Sequence, residues 1–165
     1  MTDDSNLAAP GELELVRRFV NTRDLELGTD SLTTPADLDA LLATSGSTSA
    51  DVDRAIGFRE ALRALLLANA TGEPPPSEAI DTVSAIGPLR AERLRLTGDG
   101  LARLLAIVVT AQADGTWARL KACPGRDCQW ALYDHTRSRT RRWCAGAKCG
   151  ARTRSRAYRV RRAGG

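Results

Sequence analysis

Four cysteines in the C-terminal third of the chain are the residues best suited to carry chemistry. They form two Cys-x4-Cys pairs, Cys123 with Cys128 and Cys144 with Cys149, and fifteen residues separate the pairs. Each pair can close a short loop around one cation, and four thiolates give Zn²⁺ a closed tetrahedral shell. Because such a shell leaves no position open for water or substrate, the spacing predicts one structural zinc ion rather than a catalytic metal.

The expected cellular setting bears on how those cysteines are used. The chain opens MTDDSNLAAPGELELVRRF, which lacks the positively charged start and continuous apolar run of a secretory signal. Its longest apolar runs, such as ALLLANA and LLAIVV, are too short to cross a bilayer. We therefore expect a cytoplasmic protein with no membrane partner, in which grouped cysteines bind metal rather than form disulfides. Four unliganded core thiols are one alternative, and a redox switch in which released thiolates oxidise is another.

Charge is distributed very unevenly along the chain. From Arg119 onward there are fourteen lysines and arginines against two acids, whereas the preceding 118 residues hold ten basic and eighteen acidic side chains. The formal net charge of +4 therefore conceals a basic C-terminal block beside an acidic remainder. A basic block of this density predicts a polyanion as partner, and the acidic remainder would be repelled by the same polyanion.

The segment between the cysteine pairs has the pattern of a small β-hairpin. CQWALYD alternates like a strand, and RTRRWC leads into Cys144 as a second strand. Trp130 and Trp143 each lie close to a cysteine, which favours a small core beside the metal over stacking on nucleobases. After Cys149, the segment GARTRSRAYRVRR predicts a helix whose first turn contains that cysteine.

Arginine surrounds nearly all of this predicted helix. At 3.6 residues per turn, Cys149, Thr153 and Val160 share one narrow face, which we expect to meet the zinc site, while Tyr158 points outward. Such a helix is better suited to lie among phosphates than in a protein core. The candidate nucleic-acid contacts, on the helix and on the hairpin turn before it, are Arg137, Arg139, Arg141, Arg142, Lys148, Arg152, Arg154, Arg156 and Arg159.

The first 115 residues, called the body below, have the periodicity of a mostly α domain with little strand. The run GLARLLAIVVTAQADG is apolar almost all round, which favours a buried helix. The segment around Arg93–Leu96 alternates and is the one strand candidate of the body. The other predicted helical segments are a region ended by Gly28 in which Leu13, Val16 and Val20 share one face, a segment from a Thr34 cap to about Ala43, a long helix over 50–72 ended by Gly72, and a short helix capped by Ser77.

Nothing in the body resembles a catalytic constellation. It contains no cysteine and no histidine, and the only histidine of the chain, His135, lies in the basic block, where we expect it on the surface. Without a nucleophile or an acid–base pair, the sequence predicts a protein that is not an enzyme. A domain of this kind could bind a small-molecule effector or form a homodimer, and the sequence does not separate these alternatives.

The basic block resembles the CGNR zinc finger, a bacterial C-terminal module named for the tetrapeptide at its last cysteine. The resemblance covers 119–162 and includes the four cysteines, Trp130, Tyr133-Asp134, Arg142-Trp143-Cys144 and Ala157-Tyr158-Arg159. It implies a treble-clef-like zinc module, with a β-hairpin and a basic helix, in DNA-binding transcription regulators. The naming tetrapeptide here reads Cys149-Gly150-Ala151-Arg152, so alanine replaces the asparagine of the family. If that asparagine caps the helix or touches a base, this chain has lost the contact.

The upstream segments FVNTRD, TTPADLDALL and FREALRALL are similar to the helical ABATE domain that precedes this finger. The resemblance implies an ABATE-like sensor or dimerisation domain over 1–115 and a nucleic-acid-binding zinc finger over 116–165. We therefore expect a bacterial regulator that binds double-stranded DNA. The alternative is an RNA-binding or ribosome-associated zinc module, in which Tyr158 or Tyr133 stacks on bases.

Overall fold

The computed structural model describes residues 6–86 and 100–163, and these residues form six α-helices and two short antiparallel β-ladders. The predicted mostly α fold, with a hairpin and a basic helix at the C-terminal end, is confirmed. The helices are α1 Leu13–Val20, α2 Pro35–Leu42, α3 Ser49–Thr71, α4 Ser77–Ser84, α5 Gly100–Ala113 and α6 Ala151–Ala163. The strands are β1 Arg23–Asp24, β2 Thr29–Asp30, β3 Leu120–Ala122 and β4 Ala131–Tyr133.

Local sequence signals set the helix ends of the body. Thr34 caps α2 as predicted: its hydroxyl accepts a hydrogen bond from the Asp37 N–H at 3.2 Å, and the Asp37 carboxylate accepts from the Thr34 N–H at 2.8 Å. Gly72 ends α3 in the left-handed conformation at φ 79°. The predicted cap of α4 is wrong by one residue, because Ser77 is its first helical residue and Pro76 precedes it. The strand candidate Arg93–Leu96 lies outside the described residues.

The main core forms where α3 packs against α1, α2, α4 and strand β3, while α5 packs against α1 and α2. The rings of Phe19 in α1 and Phe58 in α3 lie 6.0 Å apart at its centre, and both are fully buried. The prediction of a buried α5 is correct for one face of the helix only. Leu104 and Val108 lie on its buried face, whereas Val109 is 43% exposed, because this helix covers one side of the body.

The C-terminal hairpin forms between different segments from those predicted. Strand β4 pairs with β3, in the register Lys121 opposite Leu132, and the predicted second strand over 139–144 is not a strand. The other edge of β4 is already occupied, since the Asn21 amide bonds the Ala131 backbone and the Tyr133 N–H donates to the Leu7 carbonyl. No edge of β4 is left for the segment that leads into Cys144.

Candidate zinc centre and basic helix

The β3–β4 hairpin positions the first cysteine pair. Cys123 directly follows β3, and its N–H donates to the Trp130 carbonyl, so the Cys-x4-Cys loop closes the hairpin. Within the loop, the Cys128 N–H donates to the Gly125 carbonyl at 2.9 Å. A Cβ on Gly125 would lie 3.3 Å from the Cβ of Cys128 and 3.5 Å from the Cys123 sulfur, so the tight loop favours glycine.

The four sulfurs meet at one point in the folded chain. All four lie within 4.8 Å of one another, and the Sγ–Sγ distances are 3.5 Å for Cys128–Cys144 and 3.6 Å for Cys144–Cys149. Four sulfurs bound at about 2.3 Å to one tetrahedral ion lie roughly 3.8 Å apart. The cluster therefore fits one Zn²⁺ with four thiolates, and its oxygen-free donor set is the one that zinc prefers in structural sites.

The four thiols shift one another's pKa values. Hydrogen bonds from Cys128 and Cys144 hold the pKa of Cys123 far below the ordinary value of a thiol. The bond to Cys123 raises the pKa of Cys128, and the same partner raises the pKa of Cys144 to about 12. A bound zinc ion would replace the shared protons, so its binding releases protons.

A small second core surrounds the cysteines. Leu7 and Leu132 are buried in it, and Trp130 and Trp143 pack against it, as predicted for these tryptophans. A Cβ on Gly150 would lie 3.3 Å from the Trp143 ring, so the glycine of the tetrapeptide lets the chain pass close to that ring. This core links the first cysteine pair to the second.

The second cysteine pair begins the basic helix. Cys149 lies in a π-helical turn over Gly146–Gly150, and its N–H donates to the Ala145 carbonyl at 2.9 Å. Helix α6 continues from this turn, which confirms that the cysteine lies at its start. The predicted face toward the zinc site is only partly formed. Thr153 is exposed but lines a small cleft with Cys128 and Cys149, whereas the prediction is wrong for Val160, which is 68% exposed.

One side of α6 carries a shallow, open groove, called the basic groove below. Its four cations are Lys148, Arg152, Arg156 and Arg159, which follow the helical spacing given by the sequence. Two acids reach this groove from outside the helix. Glu26 of the body pairs with Lys148 at 2.8 Å and Arg152 at 3.0 Å, and Asp127 lies 3.8 Å from Arg156.

The loop after β4 is organised by a buried ion pair. Lys121 donates to the Asp134 carboxylate at 2.7 Å, and both side chains are almost fully buried. Lys121 also donates to the carbonyls of Arg139 and Arg141, and Asp134 accepts from the backbone N–H groups of Thr136 and Arg141. Lys121 and Asp134 thus bond backbone N–H and carbonyl groups of the segment that was predicted to be a strand. These bonds hold the segment in a turn.

The arginines of this loop differ in their surroundings. Arg141 is one of the predicted nucleic-acid contacts. Its guanidinium donates to the carbonyls of Asn6, Trp143 and Cys144, and these bonds stabilise the backbone of the loop. In contrast, the loop residues Arg137, Arg139 and Arg142 are exposed.

His135 and Tyr133 have different surroundings in the same part of the chain. His135 is exposed, as expected, with its ring nitrogen 2.7 Å from the Ala8 carbonyl. Tyr133 is only 5% exposed and packs in the main core, which excludes it from stacking on bases.

Two polar residues of the body hold the hairpin from the other side. The Asn21 amide donates to the Ala131 carbonyl at 2.9 Å and accepts from the Ala131 N–H at 2.7 Å. Buried Arg63 donates to the carbonyls of Val20 and Gln129, at 2.7 and 3.0 Å. The sequence pattern FVNTRD contains Asn21 but indicates no role for it. Arg63 could not be identified from the sequence, because a single arginine among apolar helical residues does not indicate which group it will bond.

Comparisons with known proteins agree with this geometry. Residues 119–162 match the family model described as "CGNR zinc finger". Residues 13–136 match the ABATE model, described as "Putative stress-induced transcription regulator". A search of the curated proteins finds no match.

The zinc-finger match and the cysteine cluster together identify a zinc-binding protein with one structural zinc ion, as predicted. No described helix combines the length and hydrophobicity needed to cross a membrane. Since the second model covers well over half of the chain, the protein belongs to the ABATE family, whose model carries that description, and it has a CGNR zinc finger over 119–162.

Proposed function

We propose that the protein regulates transcription by binding double-stranded DNA through its zinc finger. In this proposal Cys123, Cys128, Cys144 and Cys149 are the four zinc ligands, and the ion fixes the start of α6. The observation that carries the proposal is the exposure of this helix, whose described side chains beyond Ala151 face solvent. An exposed helix of this charge contributes little to a core, but it is well suited to a polyanion.

The basic groove is the proposed DNA-contacting side of α6. The major groove of B-DNA is about 12 Å wide and admits one α-helix. Arg152, Arg156 and Arg159 would then contact base edges or phosphates, Lys148 a phosphate near the zinc centre, and Arg154 the backbone on the opposite flank. The exposed loop arginines Arg137, Arg139 and Arg142 would contact the phosphate backbone, with Arg141 acting through the loop fold.

An RNA-binding zinc module is the second candidate. It is favoured by Tyr158, which is 57% exposed on α6 and available for stacking on a base. The burial of Tyr133 removes the other aromatic side chain considered for this role. A single exposed ring gives little stacking surface, whereas the arginines along one groove suit duplex phosphates, so we favour DNA.

The body would supply sensing or dimerisation in this regulator. We propose residues 1–115 as that unit and 116–165 as the nucleic-acid-binding unit. Asn21 and Arg63 of the body bond the hairpin of the zinc finger. A change in the packing of α1 or α3 would therefore shift the hairpin and, with it, the zinc centre. A cavity of about 430 Å³ beside Glu12 and Arg103 offers space for a small-molecule effector, and a homodimer would predict a two-fold operator.

Selection from a random duplex pool tests the DNA proposal. The zinc-loaded chain is incubated with the pool, excess competitor RNA and near-physiological salt, and bound fragments are sequenced. We expect one enriched motif, and an Arg152→Ala/Arg156→Ala variant should lose it. Neutralisation of about five phosphates predicts that log affinity falls with log salt at a slope near −4 to −5.

The matched control is an Arg18→Ala/Arg54→Ala variant, which removes the same charge from exposed positions of the body. It should retain the enrichment. Binding that is insensitive to salt would contradict the proposal, and recovery of the protein with the competitor RNA instead of any duplex would favour the RNA module.

A further inference from the structure

The two cations at the start of the basic groove are already paired with a carboxylate of the body. Glu26 accepts from Lys148 through Oε2 at 2.8 Å and from Arg152 through Oε1 at 3.0 Å. Both carboxylate oxygens are thus engaged, in the way that a phosphate oxygen pair would be. Hydrogen bonds from Lys148 and then from Arg152 hold the pKa of Glu26 below its ordinary value, so Glu26 remains an anion at neutral pH.

The carboxylate is presented by a well-fixed turn. Glu26 lies in the connection between β1 and β2, where the Asp24 side chain accepts from the N–H groups of Glu26 and Leu27 at 2.8 and 2.9 Å. At the base of this ladder, Asp30 forms two 2.8 Å hydrogen bonds with buried Arg59 of α3. The turn is therefore part of the body, and Glu26 approaches the zinc finger from outside.

The contact between this turn and the zinc finger is open rather than packed. A cavity of about 500 Å³, lined among others by Glu26, Trp130 and Lys148, separates the turn from the cysteine loops. The side chains of Lys148 and Arg152 are 48% and 60% exposed. A phosphate could replace the carboxylate at both cations without breaking a packed interface.

We propose that Glu26 is an intramolecular competitor of nucleic-acid phosphate for Lys148 and Arg152, and so lowers the affinity of the zinc finger for DNA. This inference rests on the proposed polyanion-binding role of the basic groove. Asp127 is a weaker competitor for Arg156, since that pair is 3.8 Å apart and the carboxylate is 72% exposed. Any movement of the Glu26 turn relative to α6 would then change DNA affinity, which connects the body to the DNA-binding helix.

The test measures binding of the full zinc-loaded chain to a labelled duplex of mixed sequence at several salt concentrations. Glu26→Gln removes the charge and keeps the shape of the side chain. We expect it to bind about three- to tenfold more tightly at low salt, because both cations become available to phosphate. Its slope of log affinity against log salt should be steeper by about one unit.

Two controls separate local competition from a general change in charge. Glu78→Gln removes one exposed acid from the first turn of α4, and it should bind within about twofold of the wild type. In a Lys148→Ala/Arg152→Ala background, Glu26→Gln should have no further effect, because its partners are absent. Unchanged zinc content and melting temperature would show that each variant is folded.

Equal binding by Glu26→Gln and Glu78→Gln would overturn this inference while leaving the proposed function intact. Failure of the wild type and every variant to bind duplex would overturn the proposed function instead. Elution from immobilised heparin then decides the inference separately: later elution of Glu26→Gln than of Glu78→Gln supports competition at the basic groove, and identical elution contradicts it.

Discussion

At the scale of single residues, several buried charged groups in the described part of the chain are each met by more than one partner. Arg59 is 2% exposed and bonds Asp30, Glu60 and the Thr22 hydroxyl. Lys121 and Asp134 are similarly enclosed. A buried charge is costly unless it is paired and hydrogen-bonded, so the loss of one partner is expected to cost more than the pair contributes by itself.

Asp30→Asn tests this expectation and its dependence on pH. At neutral pH we expect the free energy of unfolding to fall by about 2–3 kcal/mol, because Arg59 loses its charged partner. Burial alone would raise the pKa of Asp30, but hydrogen bonds from Arg59 and the Leu32 N–H bring it below its ordinary value. The contribution of Asp30 is therefore present above the unfolded pKa of about 3.9 and is lost as the pH falls through the lower folded pKa.

Urea denaturation of the wild type and Asp30→Asn at a series of pH values measures this difference. The gap between the two proteins should be constant near neutral pH and shrink below about pH 4. Asp53→Asn, an exposed change in α3, should stay within about 0.5 kcal/mol of the wild type throughout. A gap that widened in acid would contradict the assignment.

At the scale of elements, the hairpin is held on the body by side chains that act as strand partners. The Asn21 amide provides both a donor and an acceptor to Ala131, just as a neighbouring strand would. This contact closes the outer edge of β4 and directs the following chain into the loop organised by Lys121 and Asp134. The end of α1 thus positions the zinc-binding segment.

Asn21→Ala should lower the free energy of unfolding by about 2–4 kcal/mol, because it leaves the buried N–H and carbonyl of Ala131 without their partner. Chemical denaturation of the zinc-loaded chain measures the effect. Ser138→Ala, in the exposed loop after β4, is the control and should change stability by less than about 0.5 kcal/mol. An equally small effect at Asn21 would mean that water satisfies the Ala131 backbone.

At the scale of the whole molecule, the zinc finger and the body share one core. Leu120, Ala122, Ala131 and Tyr133 of the hairpin belong to the main cluster together with α1, α3 and α5. The cysteines belong to the second, smaller cluster. The hairpin therefore depends on the body for its stability, whereas the π-helical turn and α6 depend on the zinc centre.

Removal of zinc by a chelator should accordingly unfold one part of the molecule and leave the other. Hydrogen exchange measured by mass spectrometry should lose protection over 144–156, while α3 and β3 remain protected. Cys128→Ser should reproduce this pattern, because it removes one of the four proposed zinc ligands without disturbing the main core. Loss of protection throughout α3 on chelation would contradict the division into two cores.

Sequence alone predicted the features that depend on neighbouring residues. The two Cys-x4-Cys pairs, the caps at Thr34 and Gly72 and the cation spacing along α6 all arise within a few residues of one another. The family resemblance then added the arrangement of a helical body followed by a zinc finger, which the comparisons confirm. Spacing and periodicity suffice here because a short loop or one helical turn fixes the geometry.

Tertiary structure decided which distant groups meet. The sequence placed the second strand at 139–144, but only folding showed that Asn21 occupies the free edge of β4 and that Lys121 and Asp134 take up the backbone of the loop. Folding likewise brings Glu26 next to Lys148, which is 122 positions away in the chain. Such pairings depend on how separate elements pack. The type of a charged or amide side chain in the sequence does not determine which distant group it will bond.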